Sequence, residues 1–206
     1  MTKLVWGLNA PNYFSGVEGG LLHSPETGLI VPWNGLVSVD EKDVDVGELT
    51  AAFEGKTYSN LRFGGFYQCN VSAYSFPYEF LSAIGIREIM PGCFITGQQP
   101  TRFNFSYKTL VGESGYLIHF VYNAVAVPTN LEYETLNDTV KVTRRKWTIT
   151  ATPPNLTGGR TTAHVIVDST VTDPAVLAVV EDTLYGTDIT TPDFPTQSEL
   201  VTIFVS

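Results

Sequence analysis

Residues 103–128, FNFSYKTLVGESGYLIHFVYNAVAVP, hold the feature that most restricts what this chain can fold into. Phe103, Phe105 and Tyr107 alternate with Asn104, Ser106 and Lys108, the pattern of a strand with one dry and one wet face. Gly112 and Gly115 bound a short turn, so the chain doubles back as a hairpin. The returning arm is apolar on both sides. Tyr116, Ile118, Phe120 and Tyr122 point one way, Leu117, Val121, Val125 and Val127 the other, and only His119 and Asn123 interrupt. At about 3.3 Å per residue, a strand over 116–127 reaches roughly 40 Å, against the usual ~17–20 Å. Both faces of so long a strand need cover. What covers the second face is left open by the pattern alone.

The rest of the chain reads the same way. Short segments rich in Val, Ile, Thr, Phe and Tyr lie between Gly, Pro, Asn and Asp, the pattern of an antiparallel β-sandwich or barrel. Strands are predicted near 29–32, 36–40, 46–53, 65–73, 102–110, 116–127, 142–152 and 163–168, with 54–64 as an exposed loop and 153–160 as a hairpin tip. A short helix is predicted over 77–84, stopped by Gly85. A flanking helix over 173–185 has Asp173 as N-cap, Pro174 in its first turn and Gly186 as its end. Val176, Leu177, Val180 and Leu184 give it one apolar stripe. The tail QSELVTIFVS fits either an edge strand or a last helical segment capped by Thr196 with Glu199. With no repeat and no linker, the 206 residues read as one all-β domain, 170–206 being a helix-plus-tail extension.

Composition narrows the partners. Charged residues make up 16% of the chain, against ~25% in typical soluble domains, so much of the surface is expected to meet other subunits. The formal charge of −9 argues against gripping a nucleic acid backbone, which takes lysine and arginine. The first residues, MTKLVWGLNAPNYFSG, lack the apolar core of a signal peptide, and no run approaches a membrane span. The expectation is therefore a protein that stays where it is made, without membrane insertion. Its four Asn-x-Ser/Thr sites (Asn70, Asn104, Asn137, Asn155) are then incidental. Cys69 and Cys93 sit among apolar or aromatic neighbours and are expected to be buried free thiols.

A search for chemistry returns no catalytic, cofactor or metal site. His23, His119 and His164 are far apart in sequence and form no HxH or HExxH pair; His119, between Ile118 and Phe120, reads as a structural histidine. Ser114 in GESG lacks the second glycine of a nucleophile elbow, because that place holds Tyr116. Neither a Walker A loop nor a dinucleotide GxGxxG is present. The acidic run 40–45 does not follow the ligand register of a calcium loop and reads as a solvated tip. Lys141, Arg144, Arg145 and Lys146 form a basic cluster, but Arg144 and Lys146 face opposite to Arg145 on a strand. That suits edge protection or an intersubunit salt-bridge row better than a nucleic acid groove.

Four stretches, in order, carry a resemblance: WNGLVSVDE (33–41), FYQCNVSAYSFPYEFLSAIG (66–85), FNFSYKTLVGESGYLIHFVYNAVAVPT (103–129) and VVEDTLYGTDITTPDFPTQSEL (179–200). Together they resemble the major tail (tail tube) proteins of long-tailed, siphovirus-type bacteriophages of actinobacteria. Lys108 stands where those proteins usually have arginine, and the turn at 112–115 is tighter than in many of them. The resemblance implies a structural virion protein, not an enzyme, assembled in the host cytoplasm. Its hexameric rings would stack into a tube, with tape measure, tail terminator and distal tail proteins as partners. Each subunit would lend about four strands to a shared inner barrel of about 24, wide enough for phage DNA to pass without specific binding. An acidic lining favours that sliding. The intersubunit or inner-barrel candidates are Leu117, His119, Val121, Asn123, Val125, Arg144, Arg145 and Lys146. The alternatives are another ring protein of the tail, such as a terminator, distal-tail or connector protein, or a carbohydrate- or surface-binding β-sandwich module built on the chain's aromatics.

Overall fold

The computed structural model describes residues 13–42, 48–53, 56–62, 65–129, 142–154 and 161–205, with 48–53 and 56–62 as backbone only. The chain opens with β1 (Phe14–Ser24), β2 (Leu29–Pro32) and β3 (Leu36–Lys42). A separate hairpin follows, β4 (Glu48–Phe53) with β5 (Lys56–Arg62), and then β6 (Tyr67–Ala73). Helix α1 (Phe80–Ala83) precedes a second small hairpin of β7 (Arg87–Met90) and β8 (Cys93–Ile95). The long hairpin is β9 (Phe103–Val111) and β10 (Gly115–Pro128), followed by β11 (Arg145–Ala151) and β12 (His164–Asp168). Helices α2 (Pro174–Tyr185) and α3 (Gln197–Val205) close the chain.

The main sheet is antiparallel, in the order β2-β1-β9-β10-β11-β6-β3, with β12 also on β10. Its two halves meet in β10. As far as Val121, β10 lies between β9 and β12. From Ala124 to Pro128 it pairs with β11 instead. Between the two lies a one-residue bulge, where Val121 pairs with Phe105 and Ala124 with Phe103. Asn123 sits in it at φ 53, the only left-handed non-glycine residue described. Its amide N–H donates to Asn104 Oδ1 at 2.9 Å and its side-chain Nδ2 to Thr152 Oγ1 at 2.7 Å. Arg102 holds the same corner, donating to the Asn123 carbonyl and to Thr152 Oγ1.

The bulge reverses the alternation of the strand. Val121 packs in the interior between the two half-sheets, and so do Ala124 and Ala126 beyond the bulge. Ile118, Phe120 and Tyr122 pack on the opposite face, against Val180 and Leu184 of α2, Phe194 and Leu200 of α3. This corrects the expectation that Val125 and Val127 share a face with Leu117 and Val121. It also answers which surface covers the first half of β10: its own helices, not a neighbouring copy.

The interior is aromatic. Trp33 lies 4.5 Å from Phe80 and 5.8 Å from Trp147 between ring centroids, and Phe80 meets Phe103 edge-on at 5.5 Å. The Trp33 indole donates to the Ser75 carbonyl, so its one polar atom is satisfied. Helix α2 forms as its ends predict, with Asp173 Oδ1 accepting from Ala175 N and Gly186 at φ 73. Lys108 ties it to the sheet, reaching Glu181 at 2.6 Å over the ring of Tyr116. The tail is helical: Thr196 and Glu199 form a reciprocal cap, with Thr196 N donating to Glu199 Oε2 at 2.7 Å.

Other expectations change. The stretch 54–64 contains β5, not only a loop, and β1 and the β7–β8 hairpin were not predicted. Cys69 is buried as expected, whereas Cys93 is exposed because the β7–β8 hairpin stands outside the main sheet. The tip at 155–160 and residues 43–45 of the acidic run lie outside the described residues.

The corner yields a stability prediction. Asn123→Ala keeps the left-handed backbone without the asparagine amide that makes it tolerable and loses the bond to Thr152, so a loss of about 2–3 kcal/mol is expected. Asn123→Gly removes only the side-chain bond and is expected to cost about 1 kcal/mol. Urea denaturation of both variants would check this, and equal losses would show that the backbone there carries no strain.

Candidate functional site

Five polar side chains meet in the interior beneath the β3 end of the sheet. Edge strand β3 points Glu41 inward, because Glu41 pairs with Cys69, whose side chain is core. Tyr67 comes from β6, Tyr107 from β9, His119 from β10 and His164 from β12. Tyr107 Oη donates to Glu41 Oε1 at 2.6 Å, and so Tyr67 Oη, 2.7 Å away, donates to Tyr107. His119 Nδ1 faces His164 Nε2 at 3.0 Å and Glu41 Oε1 at 3.3 Å. The far nitrogen of His119, Nε2, meets Thr109 Oγ1 at 3.1 Å. The rings are layered: Tyr107 stacks on His119 at 4.3 Å, and His119 on His164 at 5.1 Å.

Register explains the meeting. His164 pairs with Val121 and His119 with Ile166, so the two histidines are diagonal neighbours on one face of the β10–β12 ladder. The reading of the three histidines as far apart is therefore corrected for His119 and His164.

Burial sets the charge states. His119 is 4% exposed, and desolvation, helped by His164, lowers its pKa from 6.5 to about 3. Glu41 is close enough for an ion pair, but burial outweighs it and His119 stays neutral at pH 7. His164 is lowered too, burial again exceeding the pull of Glu41. Burial raises the pKa of both Tyr67 and Tyr107, so they remain hydrogen-bond donors.

The expected intersubunit residues fall into three groups. His119 and Val121 are buried within their own chain and offer a neighbour no surface, which corrects their assignment. Leu117, Asn123 and Val125 are half-buried, Asn123 as the pivot of the bulge. Arg144 and Lys146 are exposed, while Arg145 turns to the core side and lies over the Phe76 ring at 5.1 Å. Arg144 is held by Tyr74, whose hydroxyl accepts from its Nε at 3.2 Å.

A different surface emerges from the same strands. In β3, β6, β11 and the last part of β10, the outward rows are Ser38, Ser72 and Lys146; Asp40, Asn70, Thr148 and Val127; and Lys42, Gln68, Thr150 and Val125. No described helix covers this face, and it is polar except at β10, where Val127 is 57% exposed. Among the described strands β3 pairs only with β6, and residues 125–128 of β10 pair only with β11. The four strands thus end in two open edges. A separate groove of about 550 Å3 beside β1 and α2 includes Trp33, Leu184 and Tyr185, but Glu18 is its one carboxylate and it holds no nucleophile–base pair.

The histidines make the fold acid-sensitive. Unfolded chains bind protons below pH 6.5 that folded His119 and His164 refuse, so stability is expected to hold above that pH and to fall below it, for His119 down toward its folded value of about 3 and for His164 in the same direction. The slope reaches at most about 1.4 kcal/mol per pH unit per histidine. Between pH 6.5 and 5, His164→Gln is expected to lose stability less steeply than the wild type in urea titrations with chelator present. Parallel slopes would remove His164 from the account.

No protein-family model and no curated protein matches this chain. Among solved structures it is similar to the tube terminating cap of the anti-feeding prophage, with 14% identity and a TM-score of 0.39 over 82% of this chain and 97% of that one. It is also similar to the sheath/tube terminator of an extracellular contractile injection system in its extended state, with 10% identity and a TM-score of 0.33 over 82% of this chain and 99% of that one. Superpositions this loose carry no functional argument of their own.

Proposed function

We propose that this protein is a ring-forming structural component of a phage tail or tail-like tube. The observation that carries the reading is the four-stranded sheet of β3, β6, β11 and the end of β10, with one face on the core, the other polar and covered by no described helix, and both edges unpaired among the described strands. In a head-to-tail ring the β3 edge of one copy pairs with the β10 edge of the next, and closure removes both of these edges. Six such copies, the number implied by the tail tube resemblance, make a barrel of about 24 strands with a bore wide enough for duplex DNA. Val127 lies at the seam, where the next copy would cover it. The polar outward rows would then line the bore, and a formal charge of −9 per subunit favours DNA sliding over sticking.

This arrangement serves a stacked tube subunit, our main reading, and equally a ring that ends a tube. Stacking separates the two. Negative-stain microscopy over a concentration series would return tubes of constant width for the first and isolated rings for the second.

Seam geometry can be tested directly. Asp40 and Val127 sit on the same face at opposite edges, separated within one copy by β6 and β11, about 14 Å at three strand spacings. That is too far for an intramolecular disulfide, which needs Cα atoms within about 7 Å. With Cys93→Ser as background, the Asp40→Cys/Val127→Cys protein is expected to give a ladder of covalent oligomers with a short thiol cross-linker, and each single variant no more than dimers. A double variant that stays monomeric at assembly concentrations, with tail-tip complex added, would overturn the reading.

A further inference from the structure

We propose that Glu41, His119 and His164 form a binding site for a divalent transition-metal cation, zinc by its ligand chemistry, that ties edge strand β3 to β10 and β12 across the interior. The inference does not depend on the tail reading. Three donor atoms, one from each residue, lie within 4.8 Å of one another. Two of the separations are 3.0 Å, between the imidazole nitrogens, and 3.3 Å, from His119 Nδ1 to the carboxylate. Ligand atoms about 2.0–2.1 Å from a tetrahedral zinc stand about 3.3 Å apart, so these two separations are close to coordination spacing, and the third lies within 4.8 Å.

The donor types agree. Two imidazoles with one carboxylate suit zinc and its transition-metal neighbours, whereas calcium and magnesium prefer all-oxygen sets. In the cation's absence one N–H···N hydrogen bond joins the two rings. On binding, that proton would shift to the far nitrogen of its own ring, on His119 to Nε2 facing Thr109 Oγ1. Both facing nitrogens then offer lone pairs to the cation, whose charge Glu41 would face. Outer contacts are also present. Thr109 Oγ1 holds the far nitrogen of His119, which leaves Nδ1 free to coordinate, and Tyr107 donates to the carboxylate oxygen. The Glu41 side chain is 43% exposed, which gives the ion a path in from solvent and leaves the fourth position for water.

The test is metal binding by tag-free, metal-stripped protein with Cys93→Ser as background, using Zn2+ in calorimetry and Co2+ as a spectroscopic probe. One ion per chain is expected, with the strong visible absorption of four-coordinate Co2+ and a thermal midpoint that rises with Zn2+ concentration. Thr109→Val should weaken binding about 10–100-fold, as loss of an outer partner does, and His164→Gln by more than about 100-fold. Should His164→Gln fail to fold, Glu41→Gln, altered on the exposed side, reads the same loss. Wild-type protein that binds neither ion, or a folded ligand variant that keeps wild-type affinity, would overturn the proposal and leave the cluster a hydrogen-bonded pair.

Discussion

The bulge at Asn123 is the constraint on which the rest of this structure depends. A strand of 14 residues with regular alternation would keep each face on one side throughout. One extra residue exchanges the faces, so the first half of β10 can carry helices on the side where no described helix lies over the second half. The exchange also turns the small residues beyond it, Ala124 and Ala126, to the interior, where they pair with Ala151 and Ile149 of β11. Asn123 supplies both a tolerance for the left-handed backbone and the amide that secures Thr152.

Local signals were legible in the sequence, and paired ones were not. The β9 alternation and the Asp173, Pro174 and Gly186 ends of α2 each depend on residues within a few positions, and they read correctly. Strand β1 hid because Gly16, Gly19 and Gly20 break its pattern. Gly19 turns at φ 61 within a bulge, and at Gly20 a Cβ would stand 3.0 Å from the Trp33 carbonyl oxygen. Strand β5, KTYSNLR, is too polar to announce itself. The extra residue at Asn123 left no trace, because Val125 and Val127 are apolar whichever way they face. His119 and His164 lie 45 residues apart, and only the β10–β12 register joins them. The face that supports the functional reading was legible as strands, but not as a surface.

The polar interior and the open edge belong to one mechanical unit. Strand β3 is held laterally by β6 alone among the described strands, the position from which edges fray. Near its end Glu41 reaches inward, where Tyr107 and His119 hold it from β9 and β10, and Ser38 bonds Ser72 closer to its start. Glu41 keeps part of its side chain in solvent, and where its carboxylate meets the core the Tyr67–Tyr107–Glu41 chain replaces the water it gives up. What the carboxylate adds is order at the edge. A loose strand must be fixed before a neighbour can pair with it, at about 1–2 kcal/mol per residue. With Glu41 anchored from within, the end of β3 is ordered by the fold itself, so in the proposed ring that cost would be met in folding and not in assembly.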